Sequence, residues 1–170
     1  AKDGQLLSME ELNGDYTHAE NLNLFIEKVL QKAKLSLAEL DAVAISKGPG
    51  SYTGLRIGVS TAKGLCFSLN KPLIAINTLE HSALACSQKH GDAHALFCPM
   101  IDARRMEVYC AIFDKENGLV LPTTASIIDE HSFETFLQKQ KVYFFGDGAE
   151  KCKGSLGAQS NAIFIDQLFP

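Results

Sequence analysis

Apolar positions in the first half of the chain change period several times. Between Thr17 and Lys34, Leu22, Phe25, Ile26, Val29 and Leu30 recur at helical spacing. Thr17, with Glu20 three residues on, forms a capping box at the start of that helix. Leu24 falls off the apolar face and widens the stripe. Leu40 to Ser46 (LDAVAIS) is a short apolar run that predicts a buried strand. A helix follows from about Thr53 to Leu69, and Pro72 ends it. Leu73 to Asn77 predicts a second buried strand, and roughly Leu79 to Gln88 a third helix. Helices alternating with strands imply parallel strands joined by helical crossovers.

His90-Gly91-Asp92 breaks the pattern. After it, ALFCPMIDAR and MEVYCAIF predict two strands turning at Asp102–Arg105, a hairpin. A second turn lies at Glu116-Asn117-Gly118, with a further strand through Leu119–Leu121 or Ser126–Ile128. Ser132 to Gln140 predicts a short helix with Phe133, Phe136 and Leu137 on one side. Val142 to Gly146 is a strand ending in a Gly-Asp-Gly turn, and Ala162 to Ile165 a last strand. The N-terminus carries a hairpin signal, Asp3-Gly4, with no strand before it. The chain opens halfway through a hairpin. A two-lobed α/β protein dividing near residues 90–95 fits this order.

Composition narrows the function classes. The net charge is −4 and no lysine or arginine block exceeds two residues, Arg104-Arg105 being the densest. A protein that grips nucleic acid alone carries a basic patch, and none is visible here. The five cysteines are scattered without a C-x-x-C pair, which argues against a disulfide framework and a four-thiolate zinc site. A reducing cytoplasm is the expected location, and no run approaches the roughly 18 apolar residues of a membrane span.

The glycine-rich stretch SKGPGSYTGLRIGVSTAKG (46–64) decides between catalysis and a supporting role. Its G-x-G-x-x-x-G spacing matches neither the Walker loop nor the dinucleotide fingerprint. Helix-start amides favour anions in general, so phosphate contact stays open. The packing reading explains more residues. Gly48-Pro49-Gly50 makes a tight strand-to-helix turn, Ser51 or Thr53 caps the helix, and Gly54, Gly58 and Thr61 form a small-residue stripe. Two glycines inside a helix cost about 1 kcal/mol each against alanine, and close approach of another backbone would offset that.

Other candidates are weaker. His90 and His94 are four apart, but Gly91 makes a metal-binding helix there a poor reading. Asp102 with Arg104 reads as a structural ion pair at a hairpin tip sooner than as a catalytic pair. No nucleophile–histidine arrangement is legible from spacing.

AVAISKGPGSYTGLRIGVSTAKGL followed by PLIAINTLEHSA resembles the TsaB (YeaZ) family, as do HAENLNLFIEKVL, MIDARRMEVYCAIF and FFGDGAEKC. The resemblance covers essentially the whole chain. It implies an actin-like ATPase fold of two ribonuclease-H-type lobes, an N-terminal one over residues 1–93 and a C-terminal one over 94–170, both lacking terminal elements. The family's opening strand with its Asp-Thr-Ser-type loop and its closing helix have no counterpart, which sets autonomous nucleotide binding aside; the nucleotide-binding residues are unknown.

The implied role is a non-catalytic scaffold, without cofactor, for TsaD, which transfers the threonylcarbamoyl group to the adenosine beside the tRNA anticodon. TsaE, an ATPase, joins the same assembly, and tRNA is reached only through the complex. The family's partner surface uses the first two helices. On this sequence Gly54, Gly58 and Thr61 would permit close helix approach, with Leu24, Phe25 and Leu65 supplying apolar contact. A homodimer through the same helices is compatible. TsaD's metal-binding H-x-E-G-H-like segment matches Thr78-Leu79-Glu80-His81-Ser82, where both histidine positions are lost. The alternative is a stand-alone nucleotide hydrolase or glycoprotease-like enzyme.

Overall fold

The structure, a computed structural model, describes residues 1–11, 18–90 and 92–166. Thr17 of the capping box and Gly91 of the break lie outside the described residues. The chain divides into two compact units: Ala1–Lys47 with Ser51–Ile76, and Gly48–Gly50 with Asn77–Pro170.

The first unit contains helices α1 (His18–Ala33) and α2 (Tyr52–Leu69) and strands β1 (Val43–Ser46) and β2 (Leu73–Ile76). β1 and β2 pair in parallel, Val43 opposite Leu73 through Ser46 opposite Ile76, as the crossover order requires. Both strands are shorter than the apolar runs that announced them. Burial along β1 alternates between partly covered and exposed residues, so the run predicted as fully buried is covered on one face only. α2 begins where Ser51 Oγ accepts the Gly54 N–H (3.3 Å). It stops at Asn70, whose left-handed backbone (φ 53°) returns its N–H to the Cys66 carbonyl.

The second unit is a five-stranded sheet ordered β5-β4-β3-β6-β7, with β3 Leu96–Asp102, β4 Glu107–Phe113, β5 Leu119–Ile127, β6 Val142–Phe145 and β7 Ala162–Phe164. β4 lies antiparallel between β3 and β5, whereas β6 and β7 run parallel beside β3. Successive residues point to opposite faces, and along β3 and β6 both faces are buried. Leu96, Cys98 and Met100 join Val142 and Phe144 on one side, beneath the short helices α4 (Glu134–Leu137) and α5 (Lys153–Leu156). Phe97 and Phe145 meet Leu79, Ala83 and Cys86 of α3 (Thr78–Lys89) on the other. α3, which the sequence pattern grouped with the first lobe, therefore packs in the second unit.

One strand reading and one helix reading need revision. The alternatives Leu119–Leu121 and Ser126–Ile128, apart from Ile128, belong to one strand, β5, which continues through Pro122 and ends at Ile127. β5 is a sheet edge, where a missing N–H is tolerated. Two extra residues on β5 are absorbed by register shifts, one between Cys110–Thr124 and Ile112–Leu121 and one between Ile112–Leu121 and Phe113–Leu119. The helix expected over Ser132–Gln140 is a single turn.

The hairpin tip also differs in its pairing. Asp102 Oδ1 accepts the backbone N–H of Arg104 (2.7 Å), but its cation is Lys151, which also donates to the Glu107 carbonyl (2.7 Å). Arg104 and Arg105 occupy consecutive left-handed positions (φ 71° and 49°). The hydrogen bond from Lys151, then that from the Arg104 backbone, holds the Asp102 carboxyl below its ordinary range. A depressed folded-state pKa contributes stability above the unfolded value of about 4 that is lost as pH falls below it. Asp102→Asn should therefore lower the melting temperature at pH 7, and the difference from wild type should shrink as pH falls below about 4 and vanish once the depressed folded-state value is passed.

Candidate partner-docking site

The inner face of α1 (Leu22, Phe25, Ile26, Val29, Leu30) and that of α2 (Gly58, Thr61, Ala62, Leu65) flank an apolar trough floored by β1, with a volume of about 430 Å³. One charged residue, Glu10, lines it, and Lys32 of α1 neutralises it. Ser8 Oγ donates to the Val29 carbonyl (2.8 Å), fixing the N-terminal segment along the same helix. Among the described residues of this unit, Ala62 is the single hydrophobic residue buried to 4% exposure. Apolar groups that remain half-covered retain much of their transfer free energy, about 25 cal/mol per Å², for whatever covers them.

Of the six residues singled out in the sequence, the structure brings four together. Phe25, Gly58, Thr61 and Leu65 all line the trough. Gly58 is close-packed from within the unit, since a Cβ there would lie 3.1 Å from Ile45 Cδ1. Gly54 stands apart at the helix start, where a Cβ would meet only Ser51 at an ordinary 3.5 Å. Leu24 points away from the trough and is 51% exposed. Periodicity did not single out Tyr52 and Phe67, 74% and 91% exposed on α2. Their signal was the lone aromatics on the polar side of that helix.

Gly64 supplies a stability test of the same helix. Nothing lies within 4 Å of a Cβ built there, so alanine brings its helix propensity without a clash. Gly64→Ala should raise stability by about 1 kcal/mol, measured by urea unfolding.

The second unit contains the residues matched to chemistry in active relatives. In the segment Thr78–Ser82, Ser82 Oγ donates to the Thr78 carbonyl (2.8 Å) and Leu79 is fully buried. Two hydroxyls in the histidine positions, one of them bonded to backbone, do not fit a two-histidine metal site. Among the described residues no group of three or more His, Cys, Asp or Glu side chains is placed to hold a metal ion. Burial pushes the Cys86 thiol up to about 12, so it is protonated at neutral pH and a poor nucleophile. Cys110 is drawn down by a hydrogen bond with Cys98, yet both are wholly buried. The FFGDG turn is structural: Gly148 donates to the Met100 carbonyl (3.1 Å), and Asp147 Oδ1 accepts the Asp102 N–H (3.0 Å).

Comparison with known proteins identifies the family. Residues 13–168 match the family model described as TsaD: tRNA N6-adenosine threonylcarbamoyltransferase. The tRNA threonylcarbamoyladenosine biosynthesis protein TsaB of Buchnera aphidicola is 34% identical over 160 residues, 90% of this chain and 73% of that protein. The chain belongs to the TsaB (YeaZ) family. TsaB of Bacillus subtilis is 40% identical over 95 residues, 56% of this chain. The matches span 40% of the Bacillus subtilis protein and 44% of TsaB from Escherichia coli. YeaZ from Pseudomonas aeruginosa superposes with a TM-score of 0.70 at 24% identity, over 90% of this chain and 70% of that one. A second Pseudomonas aeruginosa structure, described as similar to peptidase YeaZ, gives 0.71 at 24%. The fold is thus that of the TsaB (YeaZ) structures, actin-like and ribonuclease-H-like. No helix among the described residues is long and apolar enough to cross a membrane.

Proposed function

We propose that this chain acts in tRNA threonylcarbamoyladenosine biosynthesis as a non-catalytic partner of TsaD, docking through α1 and α2. The observation that carries the reading is the open apolar trough between those helices, in a unit with so little buried surface of its own. A partner side chain entering the trough would touch Phe25, Gly58, Thr61 and Leu65, while Leu24 would meet it outside. TsaE joins the pair, and tRNA is engaged by the assembly. A second copy of the chain offers the same trough, so a homodimer competes for it. Family membership supports this reading over the hydrolase or peptidase alternative, which no arrangement of side chains described above favours.

Reconstitution tests the proposal. TsaD supplied with its threonylcarbamoyl donor and tRNA should form modified adenosine efficiently only when this chain is added, and the chain without TsaD should form none. Product made by the chain alone, or a TsaD activity indifferent to it, would overturn the proposal.

A further inference from the structure

The second unit leaves one side of its sheet open. β5 is an outermost strand, and among the described residues no strand lies beyond it. It carries no charged residue, although natural edge strands are commonly blunted by charged side chains, lysine above all. Pro122 and the two register shifts blunt the first half of β5. The second half is regular, with residues 124–127 opposite residues 107–110 of β4. Just past it, the Ile128 N–H donates to the Met106 carbonyl (3.0 Å). Hydrogen-bonded and non-hydrogen-bonded pairs alternate along an antiparallel ladder. The backbone groups of Thr124 and Ser126 therefore turn toward β4, and those of Ala125 and Ile127 turn outward. Ala125 is exposed and Ile127 is 75% exposed, beside a part-exposed Tyr109 on β4.

We infer that this edge is a contact between two copies of the chain, β5 pairing antiparallel with β5 about a two-fold axis at Ala125. The two five-stranded sheets then become one. Self-complementarity selects this occupant, because a two-fold contact sets one surface against itself. In this register Ala125 meets Ala125, Thr124 meets Ser126, and Thr123 meets Ile127. Hydroxyl faces hydroxyl and β-branched faces β-branched, pairs that stabilise neighbouring strands. Pro122 falls just outside the paired residues. The acidic Asp129 and Glu130 that follow Ile128 fall at opposite ends of the pair, so no like charges are driven together. A partner selected by charge would find nothing on β5 to read. The contact uses neither α1 nor α2 and is separate from the proposed docking of TsaD. It is also small, and small interfaces make weak, exchanging dimers.

Sedimentation of the full chain over a wide range of concentration tests the inference, with circular dichroism to verify folding. Wild type should show a monomer–dimer equilibrium. Ala125→Lys and Ala125→Glu each set like charges across the axis, on an exposed position that leaves the β4 ladder intact. Each should weaken dimerisation on the order of tenfold or more. An equimolar mixture of the two variants should restore it, since lysine then faces glutamate. Gly58→Phe, in the trough, should dimerise as wild type does. A wild-type chain that stays monomeric at every attainable concentration would overturn the inference. So would a dimer indifferent to both Ala125 substitutions, a mixture no better than either variant alone, or a dimer lost with Gly58→Phe. None of these results touches the proposed function, whose reconstitution is read separately.

Discussion

Gly146→Ala should cost more than about 4 kcal/mol, a loss that few single substitutions reach and that consumes much of a domain's usual margin. Two independent constraints meet at this position. Its φ of +98° is a conformation that side-chain-bearing residues rarely adopt, and a Cβ would be driven into the Met100 carbonyl oxygen. That oxygen is backbone of the central strand β3, and it already accepts the Gly148 N–H. Neither side has a flexible end to move. Gly148 repeats the constraint one step on, where a Cβ would stand 2.9 Å from the Ile101 carbonyl carbon. Gly154 is the control, because nothing lies within 4 Å of a Cβ there. Urea unfolding followed by circular dichroism should show Gly146→Ala largely unfolded and Gly154→Ala close to wild type. A stable Gly146→Ala protein would mean that the turn does not pack on β3 as described.

Gly58→Phe should weaken docking by on the order of 100-fold, about 2.8 kcal/mol, while leaving the second unit intact. Gly58 sits where α2 comes nearest β1, with 3.1 Å between a built Cβ and Ile45 Cδ1. A methyl group there asks only a small shift of a flexible side-chain end. A phenyl ring must instead occupy the trough, displacing any partner group and spreading α1 from α2. Titration of the variant with TsaD measures the loss, and the near-ultraviolet dichroism of the second unit's aromatic core reports the unaffected part. Undiminished binding would remove the trough from the docking surface.

The second unit was the more legible part of the sequence, because its central strands β3 and β6 are covered on both faces. Continuous runs such as LFCPM and VYFF carry that burial directly. The helix limits followed local chemistry: Ser51 at the start of α2, and Asn77, whose Oδ1 accepts the Leu79 N–H (2.9 Å), at the start of α3. The two short alternatives join into one β5 because Pro122 is tolerated at a sheet edge, and edge status depends on strand order, which the sequence does not carry. The Asp102–Lys151 pair spans 49 residues, a separation invisible to spacing rules. In the first unit, periodicity named the residues of the trough but not what each faces. Gly58 and Thr61 read as a stripe for an outside helix, and the structure turns them toward β1 and the trough. Phe67 was passed over because a lone aromatic on a polar face is ordinary in sequence and conspicuous only when its exposure is known.

Calorimetric titration of the wild-type chain into TsaD from the same source tests the central claim most directly. The account predicts saturable heat at one-to-one stoichiometry, carried by α1 and α2 and lost with Gly58→Phe. A folded chain that gives no saturable heat at any attainable concentration would contradict it.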